Sequence, residues 1–195
     1  MDKTSLSLLR RACEESDSDS WETLAALYTP LLQRWLQRYG LQPSDADDLV
    51  QDVLVAVAKD LPKFQHTGRS GAFRAWLRGI VANRIRNFWR QRNHRPVSEG
   101  GTEFIRSLEQ LEDPNSGLSR LWCREHDVHL LQTLLSRIEG RFSPSTVSAF
   151  RRVVLDGVDS KKVATELGIS PNAVVIAKCR VLKELRHEGD GLLGD

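Results

Sequence analysis

Apolar residues recur along most of the chain at the spacing of one helix face, whereas the period-two alternation that marks strands is almost absent. The clearest stripes are Trp21, Leu24, Leu27, Leu31 and Trp35; Val50, Val53, Leu54, Val57 and Leu61; Phe73, Leu77, Ile80, Val81 and Phe88; and Val174, Ala177, Val181 and Leu185. Leu, Ala, Arg, Glu and Gln, which all favour helices, dominate the composition. We therefore predict an all-α protein.

Residues 96–117 interrupt this pattern. They are rich in Gly, Ser, Pro and acidic side chains, and they leave room for at most one short helix around residues 105–111. We interpret the segment as an acidic, flexible linker between two small helical domains, residues 1–95 and residues 118–195.

The second domain carries the signals of a helix-turn-helix. A short helix from Ser160 to Leu167 is followed by Gly168, which can adopt the left-handed turn conformation, and then by Ser170 as a cap and Pro171 at the first helical position. The last helix points its polar and basic residues away from its apolar stripe. Since the N-terminal part of such a helix enters the major groove, Asn172, Val175 and Ile176 are candidate base readers. The candidate phosphate contacts are Arg180, Lys183 and Arg186.

A cationic run precedes the linker. Residues 62–95 contain nine Lys and Arg residues and no Asp or Glu, which favours a polyanionic partner. On the outer side of the predicted helix, Ala75, Gly79 and Ala82 form a small-residue strip bordered by Asn83, Arg86 and Arg90. Arginines beside such a strip can contact phosphates, and an Asn side chain can read a base edge. Planar faces on which unpaired bases could stack belong to Phe73, Trp76 and Trp89.

An acidic helix lies earlier in the chain. By periodicity its outward positions are Asp45, Asp48, Gln51, Asp52 and Val55. Capping of the helix N-terminus also explains Asp45, Asp47 and Asp48, but it does not cover Asp52, which lies in the third turn. An acidic ridge beside an exposed Val55 favours docking of a basic protein element. Between this helix and the cationic one, residues 65–71 form a polar loop that can shape a pocket for an extruded group.

The totals exclude several classes of protein. Three cysteines without a CxxC motif favour neither a disulfide framework nor a cysteine-rich zinc site. No apolar run has the length of a membrane span, and no signal-peptide core follows Met1. We therefore expect a soluble cytoplasmic protein that does not associate with membranes.

Neither a metal site nor a catalytic site is expected. Cys123, His126 and His129 are spaced by three and three, which walks around a helix, whereas two-His helical sites favour a spacing of four. Paired carboxylates near a nucleophile and a phosphate-cradling glycine loop are both missing from the sequence. We predict no enzymatic activity and no cofactor.

Taken together, the acidic helix DADDLVQDV, the helix FRAWLRGIVANRIRNFWRQR after a polar loop, the acidic linker and the terminal helix-turn-helix resemble the extracytoplasmic-function (ECF) sigma factors of bacterial RNA polymerase. The resemblance covers nearly the whole chain and is most specific in the first domain. It implies a transcription initiation subunit that binds core RNA polymerase, directs it to specific promoters and assists DNA melting. It also implies contacts with duplex and melted promoter DNA and a possible anti-sigma factor.

The resemblance places roles on residues of this chain. The polymerase contact falls on Asp48, Gln51, Asp52 and Val55. The pocket for a flipped base of the minus-ten element falls on Gln65, His66, Thr67, Arg69 and Ser70, and the DNA-reading and melting helix on Trp76, Asn83, Arg86, Asn87 and Arg90. The minus-thirty-five reader corresponds to Ser170, Asn172, Val175, Ile176, Arg180 and Lys183. The linker would enter the polymerase toward the RNA path, where nucleic-acid charge would be mimicked by Glu109, Glu112 and Asp113.

The chain departs from the family pattern at two places, and one rival function remains open. Arg84 interrupts the apolar stripe of the melting helix, and the front of the last helix carries fewer basic residues than is usual. The rival is a stand-alone helix-turn-helix regulator that binds duplex DNA as a dimer, in which Asp48 and Asp52 would have no role. An enzyme acting on nucleic acid is a remote third possibility.

Overall fold

The computed structural model describes residues 12, 18–39, 41–64, 71–91 and 101–189. Within these ranges the chain forms helices and no strand, so the all-α prediction is confirmed. The helices are α1 (Ser18–Gln37), α2 (Pro43–Asp60), α3 (Ala72–Gln91), α4 (Gly101–Glu112), α5 (Gly117–Ile138), α6 (Pro144–Phe150), α7 (Ser160–Leu167) and α8 (Pro171–Glu188). A π-helical segment, Arg151–Leu155, continues α6.

The first hydrophobic core is built by α1, α2 and α3. All three turn their predicted stripes toward it and bury most of each stripe. The predicted stripe residues that are only partly buried are Trp21, Leu54, Ile80 and Phe88, which pack against the core. Two later helices complete this core. Leu108 and Leu111 of α4 and Trp122 and Leu130 of α5 are buried in it, and the Trp35 and Trp122 rings meet edge to face with centroids 5.0 Å apart.

The second half of the chain has two smaller cores. Leu134, Leu135 and Ile138 of α5 pack with Phe150 of α6 and with Val181 and Leu185 of α8. Ala149, Val163, Ala164, Val174 and Ala177 form the other cluster, which holds α7 against α8. The apolar stripe predicted for the last helix is therefore its buried side.

Helix α5 belongs to two cores at once. Its first half packs in the first core and its last turns pack in the second. The segment predicted to be a linker contains the helix α4, which is longer than the short helix expected there. The predicted start of the second domain, residue 118, lies in the first turn of α5.

The local signals around α7 and α8 are confirmed. Gly168 has φ 63° and ψ 33°, the left-handed conformation, and its backbone N–H donates to carbonyls of the preceding turn. The Ser170 hydroxyl accepts a hydrogen bond of 3.1 Å from the backbone N–H of Ala173, and Pro171 occupies the first turn of α8. Turn, cap and proline fix the angle at which α8 leaves α7.

Candidate nucleic-acid and protein interfaces

Four of the predicted docking residues lie together on the open side of α2. Asp48, Gln51, Asp52 and Val55 are all exposed, and Val55 has 67% of its surface accessible. None of the four side chains has a hydrogen bond or an ion pair within the described residues. An exposed apolar residue beside two unpaired carboxylates suits a partner surface that offers both apolar and basic groups.

The outward assignment of Asp45 is wrong. Asp45 is 9% exposed and belongs to the buried side of the first turn of α2. The helix begins at Pro43 with Gln42 as its cap, so Asp45 is rotated toward the core relative to the predicted ridge. Asp47 is engaged within the chain, because its Oδ1 accepts a hydrogen bond of 2.9 Å from Gln33 Nε2. The open acidic surface therefore consists of Asp48 and Asp52.

The loop predicted to hold a flipped base, with Gln65, His66, Thr67, Arg69 and Ser70, lies outside the described residues. Its two ends are described. Phe64 at one end packs against Phe73 and Trp76 of α3, with ring centroids 5.7 Å and 5.0 Å apart. Gly71 at the other end has φ 77°, which only glycine adopts at little cost. The Trp76 ring is thus held by an aromatic cluster at the start of α3.

On α3, Asn83, Arg86 and Arg90 are exposed and Asn87 is half-buried. Asn87 Nδ2 donates to Asn83 Oδ1 at 2.8 Å, which leaves the Asn83 amide NH₂ as the free donor of that side chain. Ala82 is 0% exposed, so its placement on the outer small-residue strip is wrong. The true period of α3 carries Ala82 into the core beside Val81 and Ile85.

The arginines of α3 are less available than an acid-free run suggests. Arg78 is 6% exposed, and its Nε has no hydrogen-bond partner in the described structure. Arg74 pairs with Asp127 of α5, and Arg84 is half-buried. Arg90 is the exposed arginine of this helix without an ion pair among the described residues. Absence of acids nearby in sequence did not prevent pairing with acids that follow later in the chain.

Arg86 is paired with the predicted linker. Its Nη2 lies 2.7 Å from Glu112 Oε2 at the end of α4, and both side chains are about half exposed to solvent. The hydrogen bond to Glu112 raises the pKa of Arg86, with Glu109 adding a weaker favourable charge. Glu112 was predicted to mimic nucleic-acid charge. In the structure its carboxylate binds the Arg86 guanidinium, the group predicted to contact a DNA phosphate.

A buried polar seam joins α5 to α1 and α3. The Tyr28 hydroxyl donates to His126 Nε2 at 3.1 Å, and His126 Nδ1 donates to Asp127 Oδ1 at 3.0 Å. Asp127 also accepts from Arg74, and Trp122 Nε1 donates to the Arg74 carbonyl at 3.1 Å. Burial lowers the pKa of His126 despite the opposing hydrogen bond to Asp127, so His126 is neutral in this chain of hydrogen bonds.

The pKa values of Tyr28 and Asp127, the partners of His126, shift in directions that favour the same hydrogen bonds. Burial raises the pKa of Tyr28, with a further contribution from Asp127, so its hydroxyl stays protonated as a donor. Burial alone would raise the pKa of Asp127, but its hydrogen bonds with His126 and Arg74 outweigh that effect and lower it. The seam is therefore stable as neutral Tyr, neutral His and charged Asp and Arg.

The residues considered as metal ligands lie where α5 packs on the first core. They are Cys123, His126 and His129. His129 Nε2 donates to the Leu27 carbonyl at 2.6 Å, and its Nδ1 accepts from Arg34 at 3.0 Å. His126 is consumed by Tyr28 and Asp127, and Cys123 packs at the edge of the first core. Across the described ranges, no group of three or more His, Cys, Asp or Glu side chains could hold a metal ion. Sequence spacing gave no signal of this role, because the partners are about a hundred residues away.

In the second half of the chain, the predicted DNA face of α8 is open. Ser170, Asn172, Arg180 and Lys183 are exposed, and Val175 and Ile176 are 49% and 48% exposed. Apart from the Ser170 cap, the described structure gives these side chains no hydrogen bond or ion pair. Two branched apolar residues flanked by cations on one helix side suit contacts with base edges and phosphates.

Within the part of the chain that is described, no helix is both long and apolar enough to cross a bilayer.

Comparison with known proteins gives one family. Residues 24–95 match the model of Sigma-70 region 2. The chain is 30% identical over 186 residues to the ECF RNA polymerase sigma factor ShbA of Streptomyces griseus, which covers 92% of both proteins. It is 26% identical over 153 residues to the ECF RNA polymerase sigma factor SigD of Mycobacterium bovis, covering 78% of this chain and 66% of that protein.

A shorter match is to the RNA polymerase sigma factor HrpL of Pseudomonas syringae pv. syringae, which is 31% identical over 90 residues, 46% of this chain and 47% of that protein. The Sigma-70 region 2 match covers most of α1 and all of α2 and α3, and α2 carries the acidic face. The match to ShbA over 92% of this chain extends the relationship into the second half of the chain. The chain belongs to the ECF family of RNA polymerase sigma factors, the alternative subunits that direct the polymerase to promoters.

Proposed function

We propose that this sigma factor binds core RNA polymerase through the open face of α2 and holds promoter DNA with α3 and α8. The observation that carries the proposal is the state of α2, where Asp48, Gln51, Asp52 and Val55 are exposed together and lack partners in the described structure. A basic element of the polymerase is the complementary surface.

The DNA contacts are divided between the two halves of the chain. Residues 1–95 form the unit that binds polymerase and the minus-ten element, with Trp76, Asn83, Arg86, Asn87 and Arg90 on melted DNA and residues 65–70 around a flipped base. Residues 118–195 form the helix-turn-helix unit that binds the minus-thirty-five element through α8. Residues 96–117 connect the two units and enter the polymerase with their acidic side chains.

Several features of the minus-thirty-five contact follow from α8. Asn172, Val175 and Ile176 lie in its first two turns, where such a helix meets base edges. Arg180 and Lys183 lie further along the same side and contact phosphates, which position the helix without carrying sequence information. With few cations at its front, α8 depends more on apolar contacts with thymine methyl groups than on salt-sensitive attraction.

The protein acts in the cytoplasm as a transcription initiation subunit, without catalytic activity of its own and without a cofactor. An anti-sigma factor is a possible further partner. Such a partner would inhibit the chain by covering the face of α2 or the exposed side of α8.

The test is transcription with purified components. Core RNA polymerase alone, and core polymerase with the chain, are given a promoter library randomised at the minus-ten and minus-thirty-five elements, and the transcripts are sequenced. We expect the chain to select a pair of elements and to produce start sites that core polymerase alone does not. No selected transcript, combined with tight polymerase-free binding of the dimeric chain to a palindrome, would establish the stand-alone regulator instead, which the comparisons do not favour.

A further inference from the structure

Arg78 is a buried arginine without a partner. It lies in the interior of α3 and is only 6% exposed, whereas the other buried residues of that helix, such as Leu77 and Val81, are apolar. Its guanidinium has no hydrogen bond and no ion pair within the described residues, and its Nε is enclosed by the chain. A guanidinium carries five N–H donors and a permanent charge, so burying it unpaired destabilises the arrangement that buries it.

The neighbours of Arg78 on α3 show what lies over it. Arg74, one turn before Arg78, pairs with Asp127 of α5. Arg86, two turns after Arg78, pairs with Glu112 at the end of α4. Because side chains four residues apart lie on the same side of a helix, Arg78 lies beneath the place where α4 ends and α5 begins. We call this covering segment, residues 108–119, the α4–α5 junction.

The α4–α5 junction is held together more firmly than it is held to α3. The Ser119 hydroxyl is buried and donates to the carbonyls of Gln110 and Leu111, at 3.1 Å and 2.8 Å, which joins the end of α4 to the first turn of α5. The described side chains that bury α4 in the first core are Leu108 and Leu111. The ion pair of Glu112 is exposed and adds little. The junction can therefore leave α3 at a lower cost than the buried seam of α5.

The chemistry around Arg78 identifies the missing partner as a polyanion. A guanidinium binds phosphate or carboxylate through two parallel hydrogen bonds, and residues 62–95 contain no acid that could supply one. Arg78 and Arg86 are about 12 Å apart along the helix axis. One strand of duplex DNA carries a phosphate for about every 3.4 Å of its axis, so a single strand that crosses α3 can meet both arginines.

We propose that Arg78 binds a phosphate of promoter DNA and that the α4–α5 junction covers it until DNA binds. In the free chain the junction lies over Arg78, and Glu112 holds Arg86. When DNA binds, α4 and the first turn of α5 leave α3, and both guanidiniums face the same strand. The inference rests on the proposed function, because it takes α3 to be a DNA-binding helix. It adds to that helix a contact that is buried in the free chain.

The first experiment removes the charge of Arg78 and keeps most of its length. For Arg78→Met we expect the Tm of the free chain to rise by about 2–4 °C, since an unpaired charge is no longer buried. The affinity of the holoenzyme for a promoter fragment should fall about 10-fold, and its dependence on salt should weaken by about one counterion. A residue needed only for packing would not produce these opposite effects on stability and on binding.

Two further variants control for charge and for shape. Arg124→Met removes the same charge from an exposed arginine of α5 that has no hydrogen bond or ion pair in the described structure, and it should change neither quantity. Arg78→Lys keeps the charge but not the planar group, so it should retain the salt dependence of the unaltered chain.

The second experiment tests whether the α4–α5 junction moves. In a chain whose three native cysteines are replaced by serine, Arg86→Cys and Glu112→Cys are joined by a bismaleimide linker that contains a reducible disulfide, before assembly with core polymerase. The linked chain should bind promoter DNA about 10-fold more weakly than the same chain after reduction of the linker. Adding Arg78→Met should weaken DNA binding only in the reduced form.

Each outcome decides the inference. Higher stability with weaker and less salt-dependent DNA binding of Arg78→Met, together with recovery of binding when the linker is reduced, supports it. Equal DNA binding by Arg78→Met and the unaltered chain, or by the linked and reduced forms, overturns it and leaves the proposed function intact. Weaker association of Arg78→Met with core polymerase in the absence of DNA would identify an acidic polymerase surface as the partner and also overturns it. If the unaltered chain directs no transcription with core polymerase, the proposed function itself fails.

Discussion

On α2, Asp48 and Asp52 project into solvent without partners in the described structure, whereas on the neighbouring α3, Arg74 and Arg86 are both paired with carboxylates of later helices. The two helices pack on the same core, and for both of them the sequence predicted a charged side that faces solvent. The acidic face waits for an external partner, and the cationic face is partly neutralised by α4 and α5. DNA must therefore compete with the chain's own carboxylates for α3, while polymerase meets no such competitor on α2.

The competition on α3 is mild at one position and strong at another. Arg86 and Glu112 are exposed by 46% and 40%, and an exposed pair of this kind contributes at most about 1 kcal/mol to stability. A phosphate can replace Glu112 at little cost. Arg74 is tied to Asp127 beside the buried His126, so releasing it would disrupt the seam that holds α5.

The largest effect should come from reversing the open charges on α2. Asp48→Lys combined with Asp52→Lys should weaken association with core polymerase at least about 100-fold, because like charges then oppose a basic partner. Surface plasmon resonance with immobilised core polymerase measures it. The control is Asp19→Lys combined with Glu22→Lys, two exposed acids at the start of α1, which changes net charge equally on another helix and should retain association. Equal binding by the first pair would show that the open face of α2 is not the polymerase contact.

A second effect should appear as acid weakens the seam between α5 and the first core. Burial lowers the pKa of both His126 and His129 below the ordinary value of about 6.5 for histidine. At a pH between the lowered pKa of the folded state and the ordinary pKa of the unfolded state, the unfolded chain binds more protons than the folded chain. The free energy of unfolding should therefore fall as the pH is lowered from about 7 to about 5. The lowered pKa of Asp127 acts in a different window, because its stabilisation is lost only near and below about pH 4.

Urea unfolding at a series of pH values measures the seam effect. The variant His126→Gln with His129→Gln removes both titrating rings, and its unfolding free energy should depend less on pH in the range from about 5 to about 7. The same slope in this variant would mean that other groups are responsible for the acid sensitivity.

The smallest effect should be at the exposed ion pair. Glu112→Gln frees Arg86, and affinity for minus-ten DNA should rise a few-fold, with a steeper dependence on salt by about one counterion. Filter binding at several salt concentrations measures both quantities. Glu125→Gln, which breaks the exposed pair with Arg38 away from α3, is the matched control and should change neither.

A double-mutant cycle sharpens this prediction. Arg86→Ala should reduce DNA affinity more in the Glu112→Gln background than in the unaltered chain, because only there is the guanidinium fully available. Additive losses would show that Glu112 does not compete with DNA for Arg86.

Sequence periodicity predicted the helices and most of their buried sides, because burial of an apolar stripe is a local signal. The stripes of α1, α2, α3 and α8 are in the core, and the glycine, cap and proline around Gly168 act as predicted. The errors concern residues at the border between the buried and the exposed side of a helix, where a small rotation about the helix axis decides burial. Ala82 and Asp45 are both buried, and each has one buried and one exposed neighbour in sequence.

Long-range pairing was beyond the sequence. The contacts Tyr28 to His126, Arg74 to Asp127 and Arg86 to Glu112 join residues separated by 98, 53 and 26 positions, and nothing in the local pattern marks them. Whether a charged side chain is free for a partner depends on the packing of distant helices.

The double membership of α5 has a practical consequence for anyone dividing this protein into pieces. A fragment ending near residue 95 would lack Trp122 and His126, and the surfaces of Trp35 and Tyr28 that they contact would be exposed to water. Aromatic rings of this size bury about 150–250 Å² each, so such a fragment would tend to self-associate. A soluble N-terminal fragment should extend at least through Leu130. Its end therefore lies within α5 rather than in the turn between α4 and α5.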